Sequence, residues 1–236
     1  MMPVFLAFVR GHGALEIGEI MLVTGAAQLA TAPIAVALER RTDARVLTGF
    51  GFVVFAVGLG LSAFQTPDTD FKAMFLPQVV RGVGIMFCLL PPTRLALGRL
   101  TASEVPDASS LFNLMRNLGG AIGLALIDTV IYGRAPIHAR QIIARLQAGD
   151  DATAQAVGIP LMLFHARPTG PVDADTAAIL KPMIQRLATT QAINDAWAMI
   201  AIFTLAALLT VPFARASRPH HPARPHDLIH PDGDNL

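Results

Sequence analysis

Arg81, Asn113, Arg116, Asn117 and Asp128 carry charged or amide groups inside long apolar stretches of this 236-residue chain. A charged side chain at the centre of a bilayer costs roughly 3 kcal/mol or more unless it meets a partner, water or headgroups. These five are therefore the residues through which the chain can do chemistry on a polar solute or a proton. Arg81 lies in Leu76-Pro77-Gln78-Val79-Val80-Arg81-Gly82-Val83-Gly84. Two readings fit it: a charge facing an aqueous cavity, or a long side chain snorkelling to the outer interface. Gly82 and Gly84 would let a neighbouring helix come close.

Helix residues advance by about 100° each, so Asn113, Asn117, Gly120, Leu124 and Asp128 fall on one narrow stripe, with Arg116 beside its first turns. Such a stripe turns toward protein or water rather than lipid. It can line a substrate path with Asp128 as a proton-accepting carboxylate. Alternatively the amides hold helices together, and Asp128 sits among outer headgroups shortly before Arg134. Gly119 and Gly123 form a GxxxG pair, the spacing of close helix contact in membranes.

The elements that position these residues are the apolar stretches themselves: 17–38, 46–64, 74–97, 111–132 and 192–213. A bilayer core is about 30 Å thick, and roughly 20 mostly apolar helical residues cross it. Composition agrees. Hydrophobic residues make up 53% and charged residues 15% of the chain, with a mean hydropathy of +0.52. A soluble domain carries about 25% charged residues. The expected fold is all-α, a polytopic transmembrane helix bundle of about five full spans plus a partial first one. Residues 1–9 read as the last turns of a helix whose beginning is missing. The bundle is expected over 1–213 with an outer loop at 133–190, and 214–236, rich in Pro, His and Asp, as a disordered cytoplasmic tail.

Within the outer loop, 137–147 and 176–187 are each expected to form a short amphipathic helix. Ser103, Glu104 and Pro106 signal the start of the fourth span. Pro91 and Pro92 would bend or end the third, and Pro33 would act likewise on the first. Asp195, with Asn194, is expected at the start of the fifth span as an acid suited to the helix dipole. Glu16 and Glu19 flank the first span similarly. Basic residues in the short loops are concentrated on one side, at Arg40, Arg41, Arg45, Arg99, Arg215, Arg218 and Arg224, against Arg10 and Lys72 on the other. That asymmetry places the C-terminus in the cytoplasm of a multi-pass protein.

Several functions are not encoded. A net charge of +1 with no basic run interleaved with aromatics argues against nucleic acid as a partner. No phosphate loop, HExxH or GxSxG motif occurs, so an ATP-driven engine or hydrolase is unsupported and no enzyme is expected. The single cysteine, Cys88, permits no intramolecular disulfide or cysteine-built metal centre. His220, His221, His226 and His230 form a cluster that can bind metal, but in a Pro-rich tail. No cofactor and no metal site is expected.

The run Asp107-Ala108-Ser109-Ser110-Leu111-Phe112-Asn113-Leu114-Met115-Arg116-Asn117-Leu118-Gly119-Gly120-Ala121-Ile122-Gly123 resembles a stretch of the fourteen-span drug–proton antiporters of the EmrB/QacA type, in the major facilitator superfamily. Residues 76–97, with Arg81-Gly82-Val83-Gly84 and Pro91-Pro92-Thr93, are similar to the span before it. Residues 11–33 and 191–197 match further spans. The resemblance implies the carboxy-terminal half of a major facilitator fold in a bacterial inner membrane. It also implies proton-driven export of amphipathic compounds by alternating access, with the lipid bilayer, a small amphipathic substrate, protons and a missing amino-terminal half as partners. Asn113, Arg116, Asn117 and Arg81 would line the path. Asp128 would be the coupling candidate, although many relatives carry a small or apolar residue there. Two alternatives stand beside this: a truncated, transport-incompetent membrane protein needing a partner half, and an uptake carrier for organic solutes.

Overall fold

The computed structural model describes residues 1–97, 100–101, 103–166, 170 and 174–213. Among these residues every regular element is helical. The tail at 214–236, with its histidine cluster, lies outside the described residues.

The order is α1 (Met2–Phe5), a π-helical turn (Leu6–Arg10), α2 (Ala14–Glu39), α3 (Ala44–Leu61), α4 (Phe71–Leu97), α5 (Val105–Gln147), α6 (Asp151–Val157), α7 (Leu161–His165) and α8 (Ala174–Leu208), with short 3₁₀ turns at Ser62–Phe64 and Val211–Phe213. Five of these helices, α2, α3, α4, α5 and α8, are long and apolar enough to cross a membrane. That is the expected all-α polytopic bundle.

Local signals set the helix starts. The Asp43 carboxylate accepts the Arg45 amide at 2.8 Å and caps α3. Glu16 accepts the Gly13 amide at 2.9 Å, closing the first turn of α2. Thr101 donates its amide to Glu104 at 2.9 Å, and α5 begins one residue later with Pro106 in its first turn. Glu16 thus acts as the expected helix-start acid. Pro91 and Pro92 do not end α4, which continues to Leu97, and α2 runs through Pro33.

α4 is the centre of the bundle. It packs against α3 on one side and α2 on the other, while α8 packs against α5 and α3. Four glycines allow the close approach. A Cβ on Gly51 would lie 2.6 Å from Phe87 Cβ, and one on Gly84 would lie 2.7 Å from the Phe55 amide nitrogen. On Gly58 it would lie 2.6 Å from Arg81 Cγ, and on Gly82 2.6 Å from Ala27 Cβ. Gly82 and Gly84 therefore do what their spacing suggests, each against a different neighbour. The GxxxG pair behaves otherwise: a Cβ on Gly119 or Gly123 would meet nothing within 4 Å.

The main core gathers Met2, Phe5, Leu6, Val9, Ile20, Leu59, Met74, Ile131, Ile193, Ala196, Trp197 and Ala201. Phe5 and Leu6 are completely buried, so one face of the first ten residues packs into the bundle, while Phe8 on the other is 81% exposed. α5 joins this core through Ile127, Val130 and Ile131, while its residues up to Leu126 are almost all exposed.

The two short helices expected at 137–147 and 176–187 are the ends of α5 and α8, with no break from the spans. α5 has 43 residues, and at 1.5 Å each it is about 64 Å long, twice the hydrocarbon thickness. Its carboxy-terminal part must project beyond the bilayer. There it packs with α6, α7 and the start of α8 into a lobe with its own core of Ile142, Val157, Ile184, Leu187 and Ala188.

Candidate functional site

Arg81 and Gln78 lie one turn apart on α4 and both face inward, 7% and 1% exposed. The Arg81 guanidinium donates to Gln78 Oε1, and Thr24 Oγ1 of α2 donates to the same oxygen. Gln78 Nε2 in turn donates to the Ile20 carbonyl at 3.0 Å. Gln78 thus uses both ends of its amide, and its single side chain ties the cation of α4 to α2. On the opposite side Trp197 of α8 lies under the guanidinium, with the Arg81 Cζ 4.7 Å from the ring centre. A desolvated pair of this kind contributes about 2 kcal/mol. Gly58 of α3 presses on the Arg81 stem.

Four spans therefore converge on one buried cation. The Arg81 side chain turns inward onto Gln78 and Trp197 rather than out toward the interface. The Trp197 indole N–H is buried and has no acceptor among the described residues. A buried donor left unmatched costs about 1–3 kcal/mol, which an incoming acceptor would recover. Arg81 and this N–H are two buried donors side by side, next to Gln78 and Thr24.

Asn113, Arg116 and Asn117 are placed differently. All three are exposed on the early half of α5, away from its contacts with α8. No hydrogen bond to a described residue occupies them. Asp128 is also exposed, one turn before the buried Ile131. The asparagines and Arg116 are not brought together with Arg81.

Asp195 overturns the helix-start expectation. α8 begins at Ala174, so Asp195 lies in mid-helix, where it accepts from Arg134 Nε at 2.8 Å and lies 2.7 Å from His138 Nε2. The physical reason is that the polar residues before it continue the helix. Asn194, beside it, accepts the Gln65 amide at 3.2 Å and donates to the Gln65 carbonyl at 2.7 Å. Nearby, Arg186 donates to the carbonyls of Val9 and Pro67 at 2.8 Å each, and Arg10 donates to Asp70 at 2.9 Å. The Phe71 amide, with Arg10 adding to it, holds the Asp70 carboxyl below its usual range.

Gln78, Trp197 and Thr24 were not among the candidates read from sequence. The signal for Gln78 was available: it stands three residues before Arg81, and so on the same face. Trp197 is the chain's only tryptophan, but nothing in its own segment points to α4. Among the described residues no group of three His, Cys, Asp or Glu side chains could hold a metal ion.

A bundle of five membrane-length helices around a buried arginine defines a polytopic integral membrane protein. Over 142 residues the chain is 39% identical to the colistin resistance protein EmrB of Acinetobacter baumannii, covering 60% of this chain and 28% of that protein. It is 26% identical over 217 residues to the multidrug export protein EmrB of Haemophilus influenzae, covering 91% of this chain and 41% of that protein. It is 23% identical over 221 residues to the MFS-type transporter YhcA of Bacillus subtilis, covering 92% and 42%. The chain is a homologue of the EmrB-type multidrug exporters of the major facilitator superfamily. It spans between 28% and 42% of the length of these three relatives. No protein-family profile and no solved structure matches it.

Proposed function

We propose that this chain forms one helix bundle of an exporter of amphipathic compounds, driven by protons and working by alternating access between two bundles. The observation that carries the reading is the buried donor pair of Arg81 and Trp197, on a floor contributed by four spans. Such a floor suits a mostly apolar solute with one acceptor group. The exposed stripe of Asn113, Arg116 and Asn117 supports a second bundle across from α5. Left in lipid, that stripe would be costly; facing a partner bundle and its aqueous path, it is satisfied. Asp128 is the proton-coupling candidate, and the C-terminus is assigned to the cytoplasmic side of the inner membrane.

The test is made in the native cell, on the chromosomal copy. Arg116→Ala is expected to raise the steady-state accumulation of a fluorescent amphipathic dye several-fold at unchanged membrane abundance. Equal accumulation at equal abundance would overturn the role of Arg116. Asp128→Asn is expected to flatten the pH dependence of dye efflux, and an unaltered profile removes it from coupling.

A further inference from the structure

The lobe beyond the bilayer encloses a cleft of about 1190 Å³ between the end of α5, α7 and the start of α8. Small-molecule sites run to about 300–1,000 Å³. The cleft therefore has room for one long amphiphile. Its walls are apolar, with Ile143, Leu146, Leu163, Phe164, Leu180 and Met183 among them. Leu163 is 62% exposed and Ile179, also in the wall, 69% exposed. Behind them lies the packed core of Ile142, Ile184 and Leu187. Met183 has the flexible, polarisable side chain that adapts to irregular apolar ligands.

The charges are one-sided. No described carboxylate lines the cleft, whereas Lys181 and His165 both do. His165 is committed to Asp151 at 2.7 Å. Lys181 is exposed and has no hydrogen-bond or ion-pair partner among the described residues. An apolar trough with Lys181 as the one uncommitted cation among its described residues matches an elongated apolar body ending in an anion.

We propose that this cleft binds a long-chain carboxylate, with its alkyl chain along Leu146, Leu163, Phe164 and Met183 and its carboxylate at Lys181. The site lies outside the spanning helices and does not depend on the export reading. A zwitterion finds no match for its cationic group, since no described carboxylate lines the walls. A cationic amphiphile would meet Lys181 with like charge.

The test uses the full chain in phosphatidylcholine nanodiscs and a palmitate carrying a diazirine at its chain end. After illumination, adducts are mapped by peptide mass analysis. Adducts are expected within 143–147, 161–166 and 179–184. Lys181→Glu is expected to reduce them at least tenfold, and Lys181→Arg to retain them. Unlabelled palmitate should compete, and hexadecyltrimethylammonium should not. Adducts confined to the spanning segments, equal labelling of Lys181→Glu, or equal competition by the cation would each overturn the proposal. Dye export by Lys181→Glu is measured alongside: a change there concerns the transporter, while the adduct map alone decides the cleft.

Discussion

Arg81 is costly where it stands, and what it contributes can be separated from what it costs. Replacing a buried ion by an apolar residue of similar length is often neutral or stabilising, because the desolvation penalty goes with it. Here Gln78 Oε1 would still receive Thr24 after Arg81→Met. We therefore expect Arg81→Met to keep or raise the melting temperature in detergent while it lowers dye export severalfold. A marked fall in melting temperature would make Arg81 a structural residue instead. Gly58→Ala is the complementary case. The new methyl would sit 2.6 Å from Arg81 Cγ and 2.9 Å from its amide nitrogen. The backbone cannot give way cheaply, so about 1–3 kcal/mol of overpacking strain is expected, read as a lower midpoint in thermal or denaturant unfolding. At this scale the sequence was informative about anomalies and silent about partners. Arg81 announced itself by its surroundings. That Trp197 would lie under it depends on how α8 meets α4, a matter of tertiary packing that no spacing within either segment encodes.

The spans were legible because their cause is local: about 20 apolar residues are needed to cross hydrocarbon, whatever the neighbours do. The continuation of α5 to Gln147 and the early start of α8 were not, because hydropathy changes at the bilayer surface while helicity does not. A different periodic signal marks those extensions. Ile142 and Leu146 are four apart, and Leu180, Ile184 and Leu187 are spaced four and three, the pattern of helices packing on each other in water. The loops between spans are tied down by arginines. Arg186 of α8 serves two carbonyls, Val9 and Pro67, with two different nitrogens. Lysine has one compact ammonium and cannot reproduce that fork. Arg186→Lys should therefore recover only part of what Arg186→Ala loses, the latter costing about 1–3 kcal/mol in unfolding assays. The Arg10–Asp70 contact beside it has a defined pH window. The Asp70 carboxyl is held below its ordinary value of 3.8. Its contribution is thus complete above that value and is lost only as the pH falls through the lower folded value. Asp70→Asn should therefore lower the melting temperature at pH 8, and that difference should shrink as the pH falls below 3.8; an equal difference at both ends would remove the contact from stability.

At the scale of the molecule, the chain is a bundle with one helix leaning away. α5 meets the core at Ile127, Val130 and Ile131, then leaves its first twenty residues open, including the stripe and the GxxxG pair. Sequence identified that stripe because a 100° advance per residue is geometry alone. It could not say what faces the stripe, and among the described residues nothing does. The comparison with relatives more than twice as long gives the expected neighbour, a second bundle. That expectation separates two measurements that would otherwise move together. A leucine at position 119 or 123 has open space in the chain on its own. Gly119→Leu and Gly123→Leu should leave the melting temperature of the purified 236-residue chain unchanged or slightly raised, since leucine also favours helix by about 0.8 kcal/mol or less over glycine. In the native cell the same changes should obstruct close packing against the other bundle and raise dye accumulation severalfold. A lower melting temperature of the isolated chain would place the pair inside this bundle. Unchanged melting with unchanged accumulation would leave lipid against α5, and the proposal of a second bundle across from it would fall.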